Sequence, residues 1–321
     1  MNPSFDLATL RAHSDIVHET IAPTPQYRWP LLSERLGTDF WLKHENHTPT
    51  GAFKVRGGLV YFKYLKETEP DCPGVVSATR GNHGQSVGFA ARRYGLPATI
   101  LVPHGNSREK NAAMRALGTR LIEHGNDFQE SREYANRLAA QEGLHPIPPF
   151  HPWLMLGVAS YCLELLEAQP DLDVVYVPVG MGSGACAMIA ARDALGHKAE
   201  VVGVTSAHAP AYKRAIESGD IVEYPTATCI GDGMACRKPD PTAIAILRKG
   251  LARVVAVTDD ELATAIRAIY TDTHNVAEGA GAAGFAAATQ EREQLRGRKV
   301  AAVLSGANID ANVYRNILID H

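Results

Sequence analysis

Long hydrophobic runs, CxxC pairs and a strong excess of one charge sign are all missing from this sequence. The formal net charge of the 321 residues is -3, which indicates no polyanion-binding surface and makes nucleic acid an unexpected partner. The five cysteines are odd in number and scattered, which argues against a disulfide framework and against a thiolate metal site. The longest apolar stretches are strand-sized or interrupted by glycine, so no membrane span is expected.

The N-terminal residues MNPSFDLATLRAHSD include acidic side chains and no apolar run of signal-peptide length. Together with the scattered thiols, this predicts a cytoplasmic protein. Apolar residues make up 45% and charged residues 21% of the chain, values that are ordinary for a globular protein. The length is enough for one large α/β domain or for two smaller lobes.

Short apolar runs rich in Val, Ile and Leu alternate along the chain with longer, Ala-rich stretches of helical period. This alternation predicts an α/β fold with parallel-rich sheets covered by helices on both faces. The predicted strands are 39–43, 74–78, 98–102, 119–123, 173–178, 200–204 and 299–304. The predicted helices lie near 51–66, 82–94, 107–117, 126–142, 155–167, 183–195, 209–218, 259–270, 279–291 and 309–318. Ligands of such folds bind at the carboxyl ends of strands, where loops meet helix N-termini.

A lysine stands in the first turn of one predicted helix, within KHENHTPTGAFKVRGG (43–58). Residues 48–51 predict a turn, and Lys54 follows it. The positive end of the helix dipole favours loss of the ammonium proton, which helps an amine to attack an aldehyde. A solvated helix lysine is the plainer interpretation, and the spacing alone favours it.

Two further loops join a predicted strand to a predicted helix. In SATRGNHGQS (77–86), free N–H groups at the helix start could bind a carboxylate, although an ordinary turn capped by Asn82 explains the pattern as well. In VGMGSGACA (179–187), the glycines expose backbone N–H groups of the kind that a phosphate monoester needs. A dinucleotide site or a structural turn is comparably supported for this loop, but the spacing differs from the GxGxxG of nicotinamide-binding folds.

Five segments, in this order, resemble motifs of the fold-type-II pyridoxal-phosphate enzymes, in the threonine and serine dehydratase branch that includes serine racemase. They are the three above together with VAEGAGAAGF (276–285) and VLSGANID (303–310). The lysine segment is similar to K-x-E-x-x-x-x-T-G-S-F-K-x-R-G, with Ala52 where serine is usual. The residues in register are Lys43, Glu45, Thr50, Gly51, Phe53, Lys54, Arg56 and Gly57.

The resemblance implies a pyridoxal 5'-phosphate cofactor that Lys54 holds as a Schiff base. Asn82 would bond the phenolic oxygen of the cofactor, and Ser305 would bond its pyridine nitrogen. Glu278 would lie beside the ring, although its small neighbours suit close helix packing equally well, and Ser305 could instead be a helix cap. The implied cofactor-binding residues are Lys54, Phe53, Asn82, Gly180, Met181, Gly182, Ser183, Gly184, Glu278 and Ser305. In this chain Met181 and Ser183 interrupt the glycines of the family's phosphate loop.

The implied substrate-binding residues lie in the asparagine loop, where Thr79 and Arg80 replace two serines of the family pattern. A guanidinium is essentially never deprotonated, so Arg80 cannot serve as the acid/base that the second serine supplies in racemising members. A forked cation could instead hold a second substrate carboxylate or the cofactor phosphate, and the sequence leaves both open. The full set is Thr79, Arg80, Gly81 and His83.

The resemblance also implies the organisation and the reaction. A large cofactor-binding lobe (1–46 and 151–321) and a small substrate-closing lobe (47–150) would flank the cofactor, in a homodimer without a bound metal. The implied reaction is α,β-elimination from a β-hydroxy amino acid, which gives a 2-oxo acid and ammonia. L-threonine and L-serine are the default substrates. The alternatives are hydroxyaspartate or another non-standard hydroxy amino acid, and a regulatory protein that binds the cofactor without turnover.

Overall fold

Residues 4–319, which the computed structural model describes, form two sheets. The larger sheet has its strands in the order β1-β2-β10-β7-β8-β9, and all its pairings are parallel except that between β1 and β2. Because each parallel pairing needs a crossover, the strands alternate with helices along the chain. The strands are β1 (Gln26–Arg28), β2 (Asp39–His44), β7 (Val174–Pro178), β8 (Glu200–Ser206), β9 (Arg253–Val257) and β10 (Lys299–Leu304).

The smaller sheet is wholly parallel and has the order β5-β4-β3-β6. Its strands are β3 (Val75–Ala78), β4 (Ala98–Val102), β5 (Arg120–Glu123) and β6 (His145–Pro146). Strand β6 lies at the edge of the sheet, the position where a proline can be tolerated because no further strand needs its N–H group. The proline-rich stretch from 145 to 153 thus begins as an edge strand and then passes into a helix that starts at Pro152.

Helices cover both sheets, which confirms the predicted α/β class with parallel-rich sheets. Short 3-10 helices occur at Glu45–His47, Asp232–Met234 and Arg292–Leu295. The α-helices of the described chain are α1 (Leu7–His18), α2 (Pro30–Leu36), α3 (Lys54–Thr68), α4 (Asn82–Arg93), α5 (Arg108–Ala116), α6 (Phe128–Glu142), α7 (Pro152–Ala168), α8 (Ser183–Leu195), α9 (Ala211–Ser218), α10 (Pro241–Gly250), α11 (Asp259–Thr273), α12 (Gly279–Gln290) and α13 (Ala311–Ile319). In this part of the chain, no helix is both long enough and apolar enough to cross a bilayer.

The sequence patterns missed six elements, namely α1, α2, α10, β1, β6 and β9. The three missed strands are edge strands, and β1 and β6 have only three and two residues, so their apolar pattern is weak. Helix α11 begins at Asp259, as predicted, and is capped by Thr258 in a reciprocal capping box with Glu261.

The position of α3 is fixed by a close contact with α7 that only glycine permits. A Cβ atom at Gly57 would lie 2.7 Å from the carbonyl oxygen of Leu154, and one at Gly157 would lie 2.2 Å from that of Arg56. The two helix backbones therefore touch directly. Trp153, at the start of α7, stacks on Tyr64 of α3 with ring centroids 4.3 Å apart, so it packs between helices.

A buried cluster of charges links the first turn of α3 to the 3-10 helix after β2 and to α7, and links β2 to α7. Arg56 lies 2.7 Å from Glu45 and 2.6 Å from Glu164, and Lys43 lies 2.5 Å from Glu164. Burial alone would lower the pKa of the Arg56 guanidinium, but Glu45 and Glu164 raise it overall. Burial would likewise raise the pKa of Glu164, but Arg56 and Lys43 lower it. The pKa shifts of Arg56 and Glu164 therefore both favour the charged forms, whereas burial lowers the pKa of Lys43.

Arg56→Met should lower the free energy of unfolding by about 3–5 kcal/mol, because it leaves Glu45 and Glu164 buried without their cation. Urea unfolding followed by circular dichroism measures this loss. The matched control is Arg120→Met, which removes an exposed pair with Glu142 and should cost less than about 1 kcal/mol. Equal losses in the two variants would contradict the structural importance of the buried cluster.

Candidate active site

Four of the five predicted motifs lie in loops that follow the carboxyl ends of β2, β3, β7 and β10, and the fifth lies between α11 and α12. Backbone contacts join two of these loops. Phe53 donates its backbone N–H to the carbonyl oxygen of Ser305 at 3.1 Å, and Ala52 forms a β-bridge with Gly306. The lysine segment and the segment after β10 are therefore held side by side at one end of the larger sheet.

Lys54 is half-buried at the first position of α3 rather than solvated. Its Nζ lies 3.3 Å from Ser183 Oγ at the start of α8 and 5.2 Å from the centre of the Phe53 ring. Burial lowers the pKa of the Lys54 amine below its ordinary value, and the nearby Cys236 thiol partly offsets this effect. A larger share of neutral amine is thus available at a given pH, which is the form that attacks a carbonyl carbon.

The glycine loop after β7 leads into a helix start that no side chain caps. Gly182 is the N-cap of α8 and has a positive φ of 92°, a conformation that favours glycine. A Cβ atom at Gly180 would lie 2.3 Å from the carbonyl oxygen of Gly233, so this position also requires glycine. The backbone of the glycine loop is also fixed by a hydrogen bond, which the hydroxyl of Tyr212 donates to the carbonyl oxygen of Met181 at 3.0 Å. The N–H groups at the start of α8, from Ser183 and Gly184 onward, remain available to an anion.

Asn82 is oriented by two partners from distant parts of the chain. Its Nδ2 donates to Glu278 Oε1 at 2.6 Å, and its Oδ1 accepts from Asn308 Nδ2 at 2.7 Å. Asn308 Nδ2 also donates to the carbonyl oxygen of Thr50 at 2.8 Å, which links this group to the lysine segment. Because Gly81 is the N-cap of α4, Asn82 is its first residue and does not cap it. Asn308 belongs to the VLSGANID segment but was not singled out as a site residue from the sequence.

Glu278 is buried, and its Oε2 atom has no hydrogen-bond partner in the described chain. It is the N-cap of α12 but does not use its side chain to cap that helix. Burial and the nearby Asp232 raise the pKa of Glu278 to about 7, against the opposing effects of Lys110 and of the hydrogen bond from Asn82. The carboxyl group therefore contacts residues of other elements rather than the N–H groups of its own helix.

Lys110 is a site residue that the sequence did not reveal. It lies in the first turn of α5, where a lysine is typical of a solvated helix surface, yet it is buried. Its Nζ lies 2.6 Å from Asp232 and 3.8 Å from Glu278. A Cβ atom at Gly81 would lie 2.5 Å from Lys110 Cδ, so the glycine makes room for the lysine stem. The contact partners are distant in sequence, and no local pattern could have identified them.

The predicted substrate-binding residues differ in their surroundings. Thr79 is buried, and its hydroxyl accepts from the N–H groups of Gly81 and Gly84 at 3.0 Å and 3.3 Å, so it shapes the loop. The Nε2 atom of His83 is buried without a partner in the described chain, and burial lowers the pKa of this ring to about 3. Arg80 is exposed and has no hydrogen bond or ion pair with any described residue.

Ser305 is buried, and its hydroxyl has no hydrogen-bond partner among residues 4–319. It does not cap a helix, because α13 begins at Ala311. The arrangement therefore combines a partly neutral amine, an uncapped helix start lined with glycines, and buried polar atoms that lack a partner. These features fit a cofactor with an aldehyde, a phosphate and a heteroaromatic ring.

The chain belongs to the family described as "Pyridoxal-phosphate dependent enzyme" (PALP), which it matches over residues 17–306. It is 35% identical over 309 residues to the L-threonine ammonia-lyase of Thermotoga maritima, covering 96% of this chain and 76% of that protein. It is 32% identical over 307 residues to the L-threo-3-hydroxyaspartate ammonia-lyase of Saccharomyces cerevisiae, covering 95% and 94%. Some curated relatives are longer, and the chain spans 59% and 60% of two biosynthetic threonine dehydratases.

The fold is shared with solved structures of this family. The processed form of threonine deaminase isoform 2 from Solanum lycopersicum superimposes with a TM-score of 0.89 at 28% sequence identity, covering 97% of this chain and 93% of that one. Membership of the pyridoxal-phosphate enzymes of fold type II, which the five motifs predicted, is thereby confirmed.

Proposed function

We propose that this protein is a pyridoxal-phosphate-dependent ammonia-lyase that converts a β-hydroxy amino acid into a 2-oxo acid and ammonia. The observation that carries the proposal is the placement of Lys54 against the uncapped start of α8, with 3.3 Å between Nζ and Ser183 Oγ. The identity to L-threonine ammonia-lyase and to L-threo-3-hydroxyaspartate ammonia-lyase supports this class of reaction.

The residues present would divide the binding of the cofactor among them. The backbone of residues 180–184 would bind the phosphate, and Lys54 would bind the aldehyde carbon. Asn82 and Ser305 carry polar groups that would bind the ring substituents, and Glu278 orients Asn82. When bound, pyridoxal phosphate supplies a carbonyl carbon that amines attack and a conjugated ring that withdraws electrons from the α-carbon of the substrate.

Lys54 would act twice in the reaction. Its Nζ would hold the cofactor in the resting enzyme. Once the substrate amine has taken its place, the free Nζ would remove the α-proton as a general base, a role for which the lowered pKa of Lys54 is suited. Loss of the β-hydroxyl as water, followed by hydrolysis, gives the 2-oxo acid and ammonia.

Lys54→Ala should abolish both the visible absorbance of bound cofactor and the release of 2-oxo acid, because no other group would replace the attacking amine. Absorbance spectra and a coupled assay of 2-oxo acid formation from L-threonine and L-serine measure the two losses. Lys63→Ala changes an exposed lysine of the same helix and should leave both unchanged. Turnover by the Lys54 variant would contradict the proposal.

A specific feature favours hydroxyaspartate as a second candidate substrate. Arg80 lies in the loop before Asn82, is exposed, and is not engaged by any described residue. A guanidinium binds a carboxylate through two parallel hydrogen bonds, so it is suited to a substrate that carries a second carboxylate. The identity of 32% to the yeast L-threo-3-hydroxyaspartate ammonia-lyase supports this candidate.

If Arg80 binds a second carboxylate, Arg80→Ser should lower kcat/KM for L-threo-3-hydroxyaspartate relative to that for L-threonine by about tenfold or more, because the charge-assisted hydrogen bonds of the guanidinium are lost. Steady-state kinetics with both substrates measure this ratio. Arg92→Ser, which changes an exposed arginine of α4, should not alter it. An unchanged ratio in the Arg80 variant would exclude this role.

We also propose that the protein is a homodimer, as the resemblance to its family implies, and that it is cytoplasmic, as its scattered cysteines predict. All five cysteines are unpaired, which suits a reducing compartment. Light scattering should give twice the mass of one chain, and cell fractionation should recover the protein with cytoplasmic markers. A mass equal to one chain, or recovery with the membrane fraction, would contradict these assignments.

A further inference from the structure

The cluster of Lys110, Asp232 and Glu278 joins parts of the chain that belong to different layers. Lys110 comes from α5, which packs beside the smaller sheet, whereas Asp232 lies in a short 3-10 helix that packs against α12. Lys110 approaches Asp232 to 2.6 Å and Glu278 Oε2 to 3.8 Å. Glu278 in turn accepts the hydrogen bond of Asn82 at 2.6 Å. Glu278 thus connects the buried cation of Lys110 to the amide of Asn82, which would contact the cofactor.

The direction of the hydrogen bond between Asn82 and Glu278 depends on the charge of the carboxyl group. An ionised carboxylate only accepts, so it selects the Nδ2 end of Asn82. Asn308 Nδ2 donates to the Oδ1 end, which is the complementary arrangement. A protonated Glu278 could donate its proton to Asn82 Oδ1, which would favour an amide turned by 180°. The Nδ2 group of Asn82 would then face Asn308 Nδ2, and two donors would oppose each other. The ionised carboxylate is therefore the form that fixes Asn82 in the observed orientation.

We propose that Lys110 is a positioning residue whose charge keeps Glu278 ionised, so that Glu278 holds the amide of Asn82 in one orientation toward the cofactor. This inference rests on the proposed function, in which Asn82 contacts the cofactor. Lys110 itself would touch neither the cofactor nor the substrate. Its role is to make the active orientation of Asn82 persist at pH values where a buried carboxyl group would otherwise be protonated.

The charged groups that face Glu278 come from α5 and from the 3-10 helix, namely Lys110 and Asp232. Helix α4 contributes the neutral Asn82, and the segment after β10 contributes its backbone at Gly306. Burial would lower the pKa of Lys110, but the carboxylates of Glu278, Asp232 and Asp310 raise it overall, so Lys110 remains charged. The two charges around Glu278 act oppositely, because Lys110 lowers its pKa and Asp232 raises it.

Two variants that break the same ion pair therefore distinguish this role from a structural one. Lys110→Met keeps the aliphatic stem beside Gly81 but removes the charge that lowers the pKa of Glu278. The acid limb of the profile of kcat against pH should move up by about one pH unit. Asp232→Asn removes the charge that raises this pKa, so the limb should move down, by a smaller amount because Asp232 has the weaker effect.

The ionisation of Glu278 is also measured without turnover. In the cofactor-free protein, the infrared band of a protonated carboxylic acid should appear as the pH falls, and Glu278→Gln should remove the part that belongs to Glu278. The midpoint of that band should shift up in Lys110→Met and down in Asp232→Asn. Because this titration needs no substrate, it tests the inference even if the proposed reaction were wrong.

Opposite shifts in the two variants, seen in both the infrared midpoint and the acid limb, support the inference. Shifts in the same direction, or an unmoved infrared midpoint, would overturn it and leave the ion pair with Asp232 as a purely structural contact. Thermal unfolding checks that each variant is folded. Should Lys110→Met fail to fold, Lys110→Arg replaces it: the arginine keeps the charge, so its midpoint should stay near that of the parent, whereas Asp232→Asn still shifts it.

Discussion

The buried pairing of Arg56 with Glu45 and Glu164 is the interaction on which the rest of the site depends. It fixes the first turn of α3, two residues beyond Lys54, to the 3-10 helix after β2 and to α7. The glycine contact between α3 and α7 removes the remaining freedom, because the two backbones are in direct contact at Gly157. The lysine side chain is long and flexible, so its amine can be positioned accurately only if the backbone of Lys54 is fixed. The contacts of Arg56 and of the two glycines fix that backbone.

Around that fixed lysine, the fold gathers groups whose roles are complementary. The uncapped start of α8 offers N–H donors, whereas His83 and Glu278 have buried polar atoms without a hydrogen-bond partner in the described chain. The hydroxyl of the buried Ser305 also has no hydrogen-bond partner there. Leaving such atoms unpaired costs stability, so their clustering at the carboxyl ends of parallel strands is typical of a site that is completed by a ligand. The family to which the chain belongs is one whose members bind such a ligand.

The core strands and the motif loops could be predicted from the sequence because their signals are local. Strands such as β4 are fully buried, and their sequences are short, mostly apolar runs that predict a buried strand. The glycine loop follows β7 directly, so its glycines mark the passage from strand to helix. Strand β9 was missed because it is a half-buried edge strand. Lys110 was missed for a different reason: its burial is created by Gly81 and Asp232, which are far from it in the chain, so nothing near residue 110 marks it as part of a site.

The absence of a side chain at Gly81 restricts which substitutions this protein can accept during evolution. Any larger residue there would strike the stem of Lys110, whose Cδ lies 2.5 Å from the place of a Cβ atom. Replacing Lys110 by a shorter residue would make room for that side chain, but it would leave Asp232 and Glu278 without their cation. Relatives that depart at one of these four positions should therefore carry compensating replacements at the others, and the set is expected to be inherited as a unit.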